Sequence, residues 1–165
     1  RTYLLGGGFL HIDDNYGMDP FVRREIQQLY PDKVLKPVPV NHPIYNTFYS
    51  FPEGLPKIHE HDGKPAEALG IFIEGELVLL YTYESDLGDG WEDADVHGDG
   101  EELRQKALKM GANIMGYALT GGYGAIPTSC CHPTILAVRL FITAIASSRL
   151  AKAPSMFTKW SASLS

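Results

Sequence analysis

Three short segments of this chain combine histidine with acidic side chains. They are "HIDDNYG" (residues 11–17), "IHEHDGKP" (residues 58–65) and "DLGDGWEDADVHGD" (residues 86–99). Imidazole and carboxylate groups hold divalent metal ions in proteins and transfer protons in hydrolytic reactions. Metal binding or proton transfer is therefore expected where these segments meet.

The second segment predicts a metal site. His59 and His61 would point to the same side of an extended chain, and two imidazoles at that spacing can chelate one transition metal. Asp13 is the predicted third ligand, and additional ligands could come from His11, Asp86 and His97. The predicted cofactor is a divalent metal ion, Zn²⁺, Ca²⁺ or Mn²⁺. The alternative is that these side chains hydrogen-bond loop backbones and hold the turn at Gly63.

The first segment predicts carboxylates at the end of a strand. The apolar run at residues 9–13 is typical of a buried parallel strand, on which His11 and Asp13 share a face. Ligands of open α/β sheets bind beyond the carboxyl ends of the strands, where Asp14 stands. Asp14 and Glu60 are the predicted catalytic groups that activate a water. The alternative is that Asp14 or Asn15 makes an Asx turn into the following helix and that His11 is a core residue with its hydrogen bonds satisfied.

The third segment is strongly acidic, with nine carboxylates between Glu84 and Glu102. Their spacing is not that of an EF-hand. Tyr16 and Trp91 are predicted to line a pocket. The alternative is a solvated acidic loop that Trp91 anchors to the core.

The elements that position these residues alternate between strand and helix, which predicts an α/β fold. The hydrophobic pattern and the glycines predict a strand at 9–13, a helix beginning near Asp19, a hairpin at 70–83 that turns at Glu74-Gly75, a helix over 101–119 and an apolar helix over 134–151. Asp99 and Glu102 have the spacing of a capping box for the helix over 101–119.

Composition restricts the class of protein. A length of 165 residues predicts one domain, and a net charge of −6 argues against a nucleic-acid partner. The longest apolar run, residues 134–146, is too short to span a bilayer and contains Arg139. Cys130 and Cys131 are adjacent and do not form a disulfide framework.

Four long motifs resemble one bacterial family. "YLLGGGFLHIDDNYGMDPFVRREI", "LPKIHEHDGKP", "YTYESDLGDGWEDADVH" and "RQKALKMGANIMGYALT" occur in the order found in the domain of unknown function 4159 family. The resemblance covers residues 1–120. It implies a three-layer, flavodoxin-like sandwich of the class I glutamine-amidotransferase type. It also implies a periplasmic or exported location, with the cytoplasm left open.

Two departures from the family pattern produce further expectations. Family members have a segment that precedes the position of Arg1 and supplies early strands, so we expect the sheet to lack these strands and to have an open edge. Residues 121–165 do not match the family and form a separate tail, whose predicted helix over 134–151 would cover that edge or drive homo-oligomerisation. No Gly-x-Cys-x-Gly or Gly-x-Ser-x-Gly motif is present, which argues against glutaminase chemistry.

Together these features predict a metal-dependent hydrolase of a small ester, lactone or amide. A bound cation would lower the pKa of its water toward neutrality and replace a Ser or Cys nucleophile. The alternative is a non-catalytic ligand-binding or assembly domain, in which the same residues fix loops. In both cases the expected ligand is a small molecule.

Overall fold

A mixed sheet forms the centre of the protein. The computed structural model describes residues 1–121 and the backbone of residues 141–145. Its strands are β1 (Phe9–Asp13), β2 (Lys36–Pro37), β3 (Glu67–Ile73), β4 (Glu76–Tyr83) and β5 (Phe141–Ile145), in the order β2-β3-β4-β1-β5. β1 runs parallel to β4 and β5, whereas β3 is antiparallel to β2 and β4.

Helices cover both faces of this sheet. They are α1 (Thr2–Leu5), α2 (Asp19–Leu29) and α3 (Gly100–Thr120), and two 3₁₀ turns lie at Pro43–Tyr45 and Asp89–Trp91. Ile26 of α2 belongs to a buried cluster with Leu79 and Tyr81, and Met110 of α3 belongs to a second cluster with Leu80. The predicted α/β class is therefore confirmed.

The β3–β4 hairpin turns at Glu74 and Gly75, as predicted. Both residues have positive φ, 53° and 90°, which is the backbone of a tight two-residue hairpin turn. The register slips between Ile71 and Phe72, which face Leu79 and Leu77, so β4 carries one extra residue there. This bulge lets Leu77 and Leu80 join the α3 cluster.

Helix α3 is confirmed, and it extends one residue beyond the predicted range at each end. The predicted capping box is wrong, because Asp99 makes no side-chain hydrogen bond to the helix. Its carboxylate lies 3.0 Å from Nδ1 of His59 instead. The helix ends at Gly121, whose φ of 67° lets its N–H reach the carbonyl of Tyr117 at 2.8 Å.

The predicted apolar helix over 134–151 is wrong at Phe141–Ile145, which forms β5. This segment is rich in aromatic and β-branched residues, and it pairs with the edge of β1 from Phe9 to Asp13. The rest of the predicted helix lies outside the described residues, as do Cys130 and Cys131. Among the described helices, none combines the length and the apolar character that a membrane crossing requires.

Candidate functional site

The candidate site lies where β1 and β4 end side by side. The two strands are parallel neighbours, so their carboxyl ends meet at one edge of the sheet. Asp14 follows β1, and its N–H donates to the carbonyl of Thr82 at 3.0 Å. Glu84 follows β4, and its N–H donates to Oδ2 of Asp14 at 3.2 Å. The two chain segments are therefore bonded to each other just beyond the sheet.

The backbone after β4 adopts a conformation that is costly for non-glycine residues. Glu84 and Asp86 have φ of 56° and 57°. Such positions cost roughly 1–3 kcal/mol each and persist only where surrounding contacts enforce them. The Glu84 carboxylate supplies such contacts, because it accepts from Lys57 at 3.1 Å and from the N–H of Asp62 at 3.3 Å.

The same loop contains a buried carboxylate–imidazole pair. Nε2 of His61 lies 2.7 Å from Oδ2 of Asp86, and the two side chains are only 7% and 5% exposed. The N–H of Ile58 donates to the carbonyl of Ser85 at 2.9 Å, which fixes the segment that carries His61 beside the β4 loop. Burial raises the pKa of Asp86, against the lowering effect of its bond to His61. Nδ1 of His61 is buried, and none of the residues that the structure describes forms a hydrogen bond with it.

A polar cleft of about 190 Å³ opens beside this pair. It is lined by Asp14, Gly17, Asp19, Pro20, His61, Asp62, Lys64, Tyr83 and Glu84. Glu84, which pairs with Lys57, lines the cleft at the end of β4, and Asp14 lines it at the end of β1. Burial raises the pKa of Asp14, while the N–H of Glu84 and the hydroxyl of Tyr81, 3.0 Å from Oδ1, act in the opposite direction. A carboxylate with a raised pKa is a stronger base than an ordinary one.

Asp13 and His11 lie beneath the cleft, on the side of β1 that faces the core. They share a face as predicted, and both contact Thr82: Oδ1 of Asp13 accepts at 2.5 Å and Nε2 of His11 lies at 3.0 Å. The N–H of Gly88 donates to Oδ2 of Asp13 at 2.6 Å. Burial raises the pKa of Asp13 to about 7 and lowers the pKa of His11 to about 3.

The two histidines of the "HEHD" segment bind different partners. The segment bends instead of running extended, so His59 bonds Asp99 while His61 bonds Asp86. Their ring centroids are 6.3 Å apart. His59, His61 and Asp13 each have their own hydrogen-bond partner in this structure, and the ion shared by the three stays a prediction.

Two other predicted residues lie away from the cleft. Glu60 is 76% exposed and pairs with Lys57 at 3.3 Å. His97 pairs with Asp89 at 3.4 Å and with Glu92 at 3.1 Å, on the acidic loop. Neither residue is among those that line the cleft. Across residues 1–121, no group of three or more His, Cys, Asp or Glu side chains is arranged to hold a metal ion.

The two predicted pocket aromatics also lie outside the cleft lining. Tyr16 is 70% exposed, and its ring meets the His61 ring edge-on at 6.3 Å. Nε1 of Trp91 donates to the carbonyl of Ala107 at 3.0 Å, and its ring covers Gly111 of α3. Trp91 therefore anchors the acidic loop to the core, which was the alternative reading.

Of the nine residues that line the cleft, only Asp14 and His61 were predicted as site residues; Lys64, Tyr83 and Glu84 are among those that were missed. Tyr83 and Glu84 stand at the end of β4 as Asp13 and Asp14 stand at the end of β1. Applying the strand-end argument to both parallel strands would have found them. Lys64 follows the turn at Gly63, and only the folded chain brings it to Tyr83.

Comparison with known families gives one match. The model of a family described as "Domain of unknown function (DUF4159)" matches residues 1–119. No curated protein matches the chain. The match spans β1, β4 and both loops that form the cleft, so the candidate site lies within the matched region.

Proposed function

We propose, on the premise that this chain belongs to the DUF4159 family of unknown function, that it hydrolyses a small ester, lactone or amide in the cleft at the ends of β1 and β4. One observation carries this proposal: Asp14 and His61 line the same cleft, and the buried Asp86 carboxylate holds His61 at 2.7 Å. A basic carboxylate beside an oriented imidazole is an arrangement suited to proton transfer in both directions.

In the proposed reaction, Asp14 takes a proton from a water molecule as its oxygen bonds to the acyl carbon. The bond from that carbon to the leaving oxygen or nitrogen then breaks, and His61 supplies a proton to the leaving group. In this step His61 acts as an imidazolium: Nε2–H donates to Asp86, and the proton on Nδ1 passes to the leaving group. The proton that Asp14 took from water then returns to Nδ1, which restores both groups. Nδ1 is buried in this structure, so the proposed proton transfer requires the side chains that cover it to move when a ligand binds.

Metal dependence remains part of the proposal to be measured. A divalent ion would lower the pKa of a water bound to it. It would thereby promote the loss of a proton from the attacking water, a step that Asp14 would otherwise assist alone. Metal content of the purified protein is determined first. Turnover is then compared after chelator treatment and after addition of Zn²⁺, Ca²⁺ or Mn²⁺, and a bound ion is expected to raise the melting temperature.

The deciding experiment is a panel of small esters, lactones and amides assayed with four proteins. Wild type should turn over at least one class, and Asp14→Asn and His61→Gln should each lower kcat by roughly 10²–10⁴-fold, the usual contribution of a proton-transfer group. His97→Gln is the matched control, because His97 also pairs with carboxylates but lies outside the cleft. Equal activity in all variants would remove both residues from the reaction.

The second candidate is a non-catalytic domain that binds a small ligand in the same cleft. It is favoured by the number of cleft carboxylates that already hold backbone: Asp14 holds Glu84, and Glu84 holds Asp62. Ligand binding without turnover on the whole panel would support this candidate over hydrolysis.

We also propose that the α/β fold is the flavodoxin-like type found in class I glutamine amidotransferases. Helices on both faces and the parallel β4-β1-β5 run support this assignment. The antiparallel β2–β3–β4 part departs from it. An experimental structure of the full-length protein tests the assignment through its strand order.

A further inference from the structure

The last residue of β4, Tyr83, has a fixed position at the wall of the cleft. It is only 8% exposed, and its ring lies 6.1 Å from the ring of Tyr81. The guanidinium of Arg23 lies 5.4 Å from its ring centroid and the ammonium of Lys64 lies 5.6 Å from it. Packing and two cations therefore hold this side chain in one orientation.

The hydroxyl of Tyr83 accepts a hydrogen bond but does not donate one to any described residue. Nζ of Lys64 lies 2.8 Å from the hydroxyl oxygen of Tyr83. An ammonium group has donors and no acceptor, so the tyrosine oxygen must accept in this bond. Among the described residues, no other side chain or backbone group is bonded to this hydroxyl. The O–H of Tyr83 is thus available as a donor.

The neighbouring charge makes that donor stronger. A hydroxyl that accepts from a cation is polarised, and its own proton then forms a stronger hydrogen bond. Lys64 also places positive charge near the substrate oxygen that would accept a hydrogen bond from Tyr83. Both effects stabilise negative charge that develops on an acyl oxygen as a carbonyl is attacked.

We propose that Tyr83, held by Lys64, donates the hydrogen bond that binds the substrate carbonyl oxygen and stabilises its oxyanion. This proposal rests on the hydrolysis proposed above, because Tyr83 and Lys64 line the cleft together with Asp14 and His61. It assigns the two residues a task in acyl chemistry that packing alone does not require.

The test compares Tyr83→Phe with wild type, since phenylalanine keeps the ring and removes only the hydroxyl. We expect kcat to fall by roughly 10²–10³-fold with a small change in KM, as when an oxyanion donor is removed. Lys64→Met should lower kcat less. Tyr49→Phe is the control, because Tyr49 also has a lysine over its ring, that of Lys109 at 5.8 Å, but does not line the cleft.

A purely structural Tyr83 predicts a different result. The urea midpoint would then change while kcat, measured on folded protein, stays within about twofold of wild type. That outcome overturns the oxyanion role even if the ester panel shows turnover, and the hydrolase proposal would survive it.

A second measurement keeps the two proposals distinguishable. Methyl phenylphosphonate carries a tetrahedral oxyanion, and its binding is measured by calorimetry with wild type and Tyr83→Phe. Binding that weakens at least tenfold in the variant supports the donor even if no substrate is hydrolysed, in which case only the proposed hydrolysis fails. Equal binding of the phosphonate by wild type and Tyr83→Phe overturns the role of Tyr83. The role is also overturned if neither protein binds the phosphonate and wild type turns over no substrate.

Discussion

Burial of carboxyl groups beneath the cleft makes single residues sensitive to pH. The side chain of Asp13 is almost fully buried, and the hydrogen bonds from Thr82 and Gly88 offset only part of the cost of its ionisation. Its pKa is therefore raised to about 7 from an ordinary value of 3.8. The folded state thus favours the neutral acid, whereas the unfolded chain favours the carboxylate above its ordinary pKa.

This difference predicts how Asp13 affects stability with pH. Its stabilising contribution is complete below pH 3.8, is lost as the pH rises toward 7 and does not change further above that. Asp13→Asn keeps a carbonyl to accept from Gly88 and does not titrate. The free energy of unfolding of wild type relative to this variant should therefore fall by up to about 4 kcal/mol across the window.

Urea unfolding of both proteins at pH 4, 5, 6, 7 and 8 measures this difference. Subtracting one curve from the other cancels the other groups that titrate in both proteins. Two stability curves that run parallel from pH 4 to pH 8 would contradict a raised pKa at Asp13.

The ion pair of Lys57 with Glu84 provides a second prediction at the residue scale. Glu84 is 1% exposed, and burial acts to raise its pKa, but the bonds from Lys57 and from the N–H of Asp62 bring the pKa below its ordinary value. Lys57→Met leaves that charge buried without its cation. We expect a loss of about 3 kcal/mol in unfolding free energy at pH 7.

The sign of the pH dependence follows from the lowered pKa of Glu84. The contribution of the pair is present above the ordinary pKa of a glutamate and disappears as the pH falls through the lowered value. The control is Lys106→Met, whose partner Glu102 is 86% exposed, and it should change stability by less than about 0.5 kcal/mol. Equal losses of unfolding free energy in Lys57→Met and Lys106→Met would show that burial of Glu84 does not strengthen its ion pair.

At the scale of elements, local sequence patterns predicted what local forces determine. Strand β1, the β3–β4 hairpin and α3 all follow from hydrophobic periodicity and glycine positions. Two predictions failed because a distant partner competed with the local pattern. Asp99 bonds His59 instead of capping α3, and Phe141–Ile145 pairs with β1 instead of continuing a helix.

The hairpin turn offers a stability prediction at this scale. Glu74 has a φ of 53° and precedes Gly75, and asparagine tolerates this left-handed backbone better than glutamate does. Glu74→Asn should therefore raise the free energy of unfolding by about 0.5 kcal/mol. Glu76→Asn, in strand β4, is the control and should not stabilise, since asparagine is unfavourable in strands. The urea midpoints of both variants measure the effect, and a gain at both positions would argue against the turn as its cause.

At the scale of the whole molecule, the positions of the strand ends could be predicted from the sequence. The pairing of side chains around the candidate site could not. The strand-end argument predicted that Asp14 lies where two parallel strands end, and it lines the cleft there, whereas Asp13 lies beneath the cleft. The partners of His59 and His61 depend on how the loop after β4 folds back over residues 56–62. No spacing rule encodes that contact, so the two separate histidine–carboxylate pairs could not be predicted from the sequence.

The order of strands gives the last prediction, which concerns association. Strand β5 pairs with β1 along its full length, from Phe9 to Asp13. A chain shortened to end at Thr120 lacks β5 and leaves the backbone groups of β1 open on that side. An unpaired strand edge recruits other strands, so the shortened chain should form dimers or larger species as its concentration rises.

Light scattering of both chains over a tenfold concentration range measures this association. Glu74→Asn in the shortened chain is the control for an effect of stability alone. A shortened chain that keeps the mass of one copy and unfolds at the same urea concentration as the full chain would mean that β5 does not protect this edge.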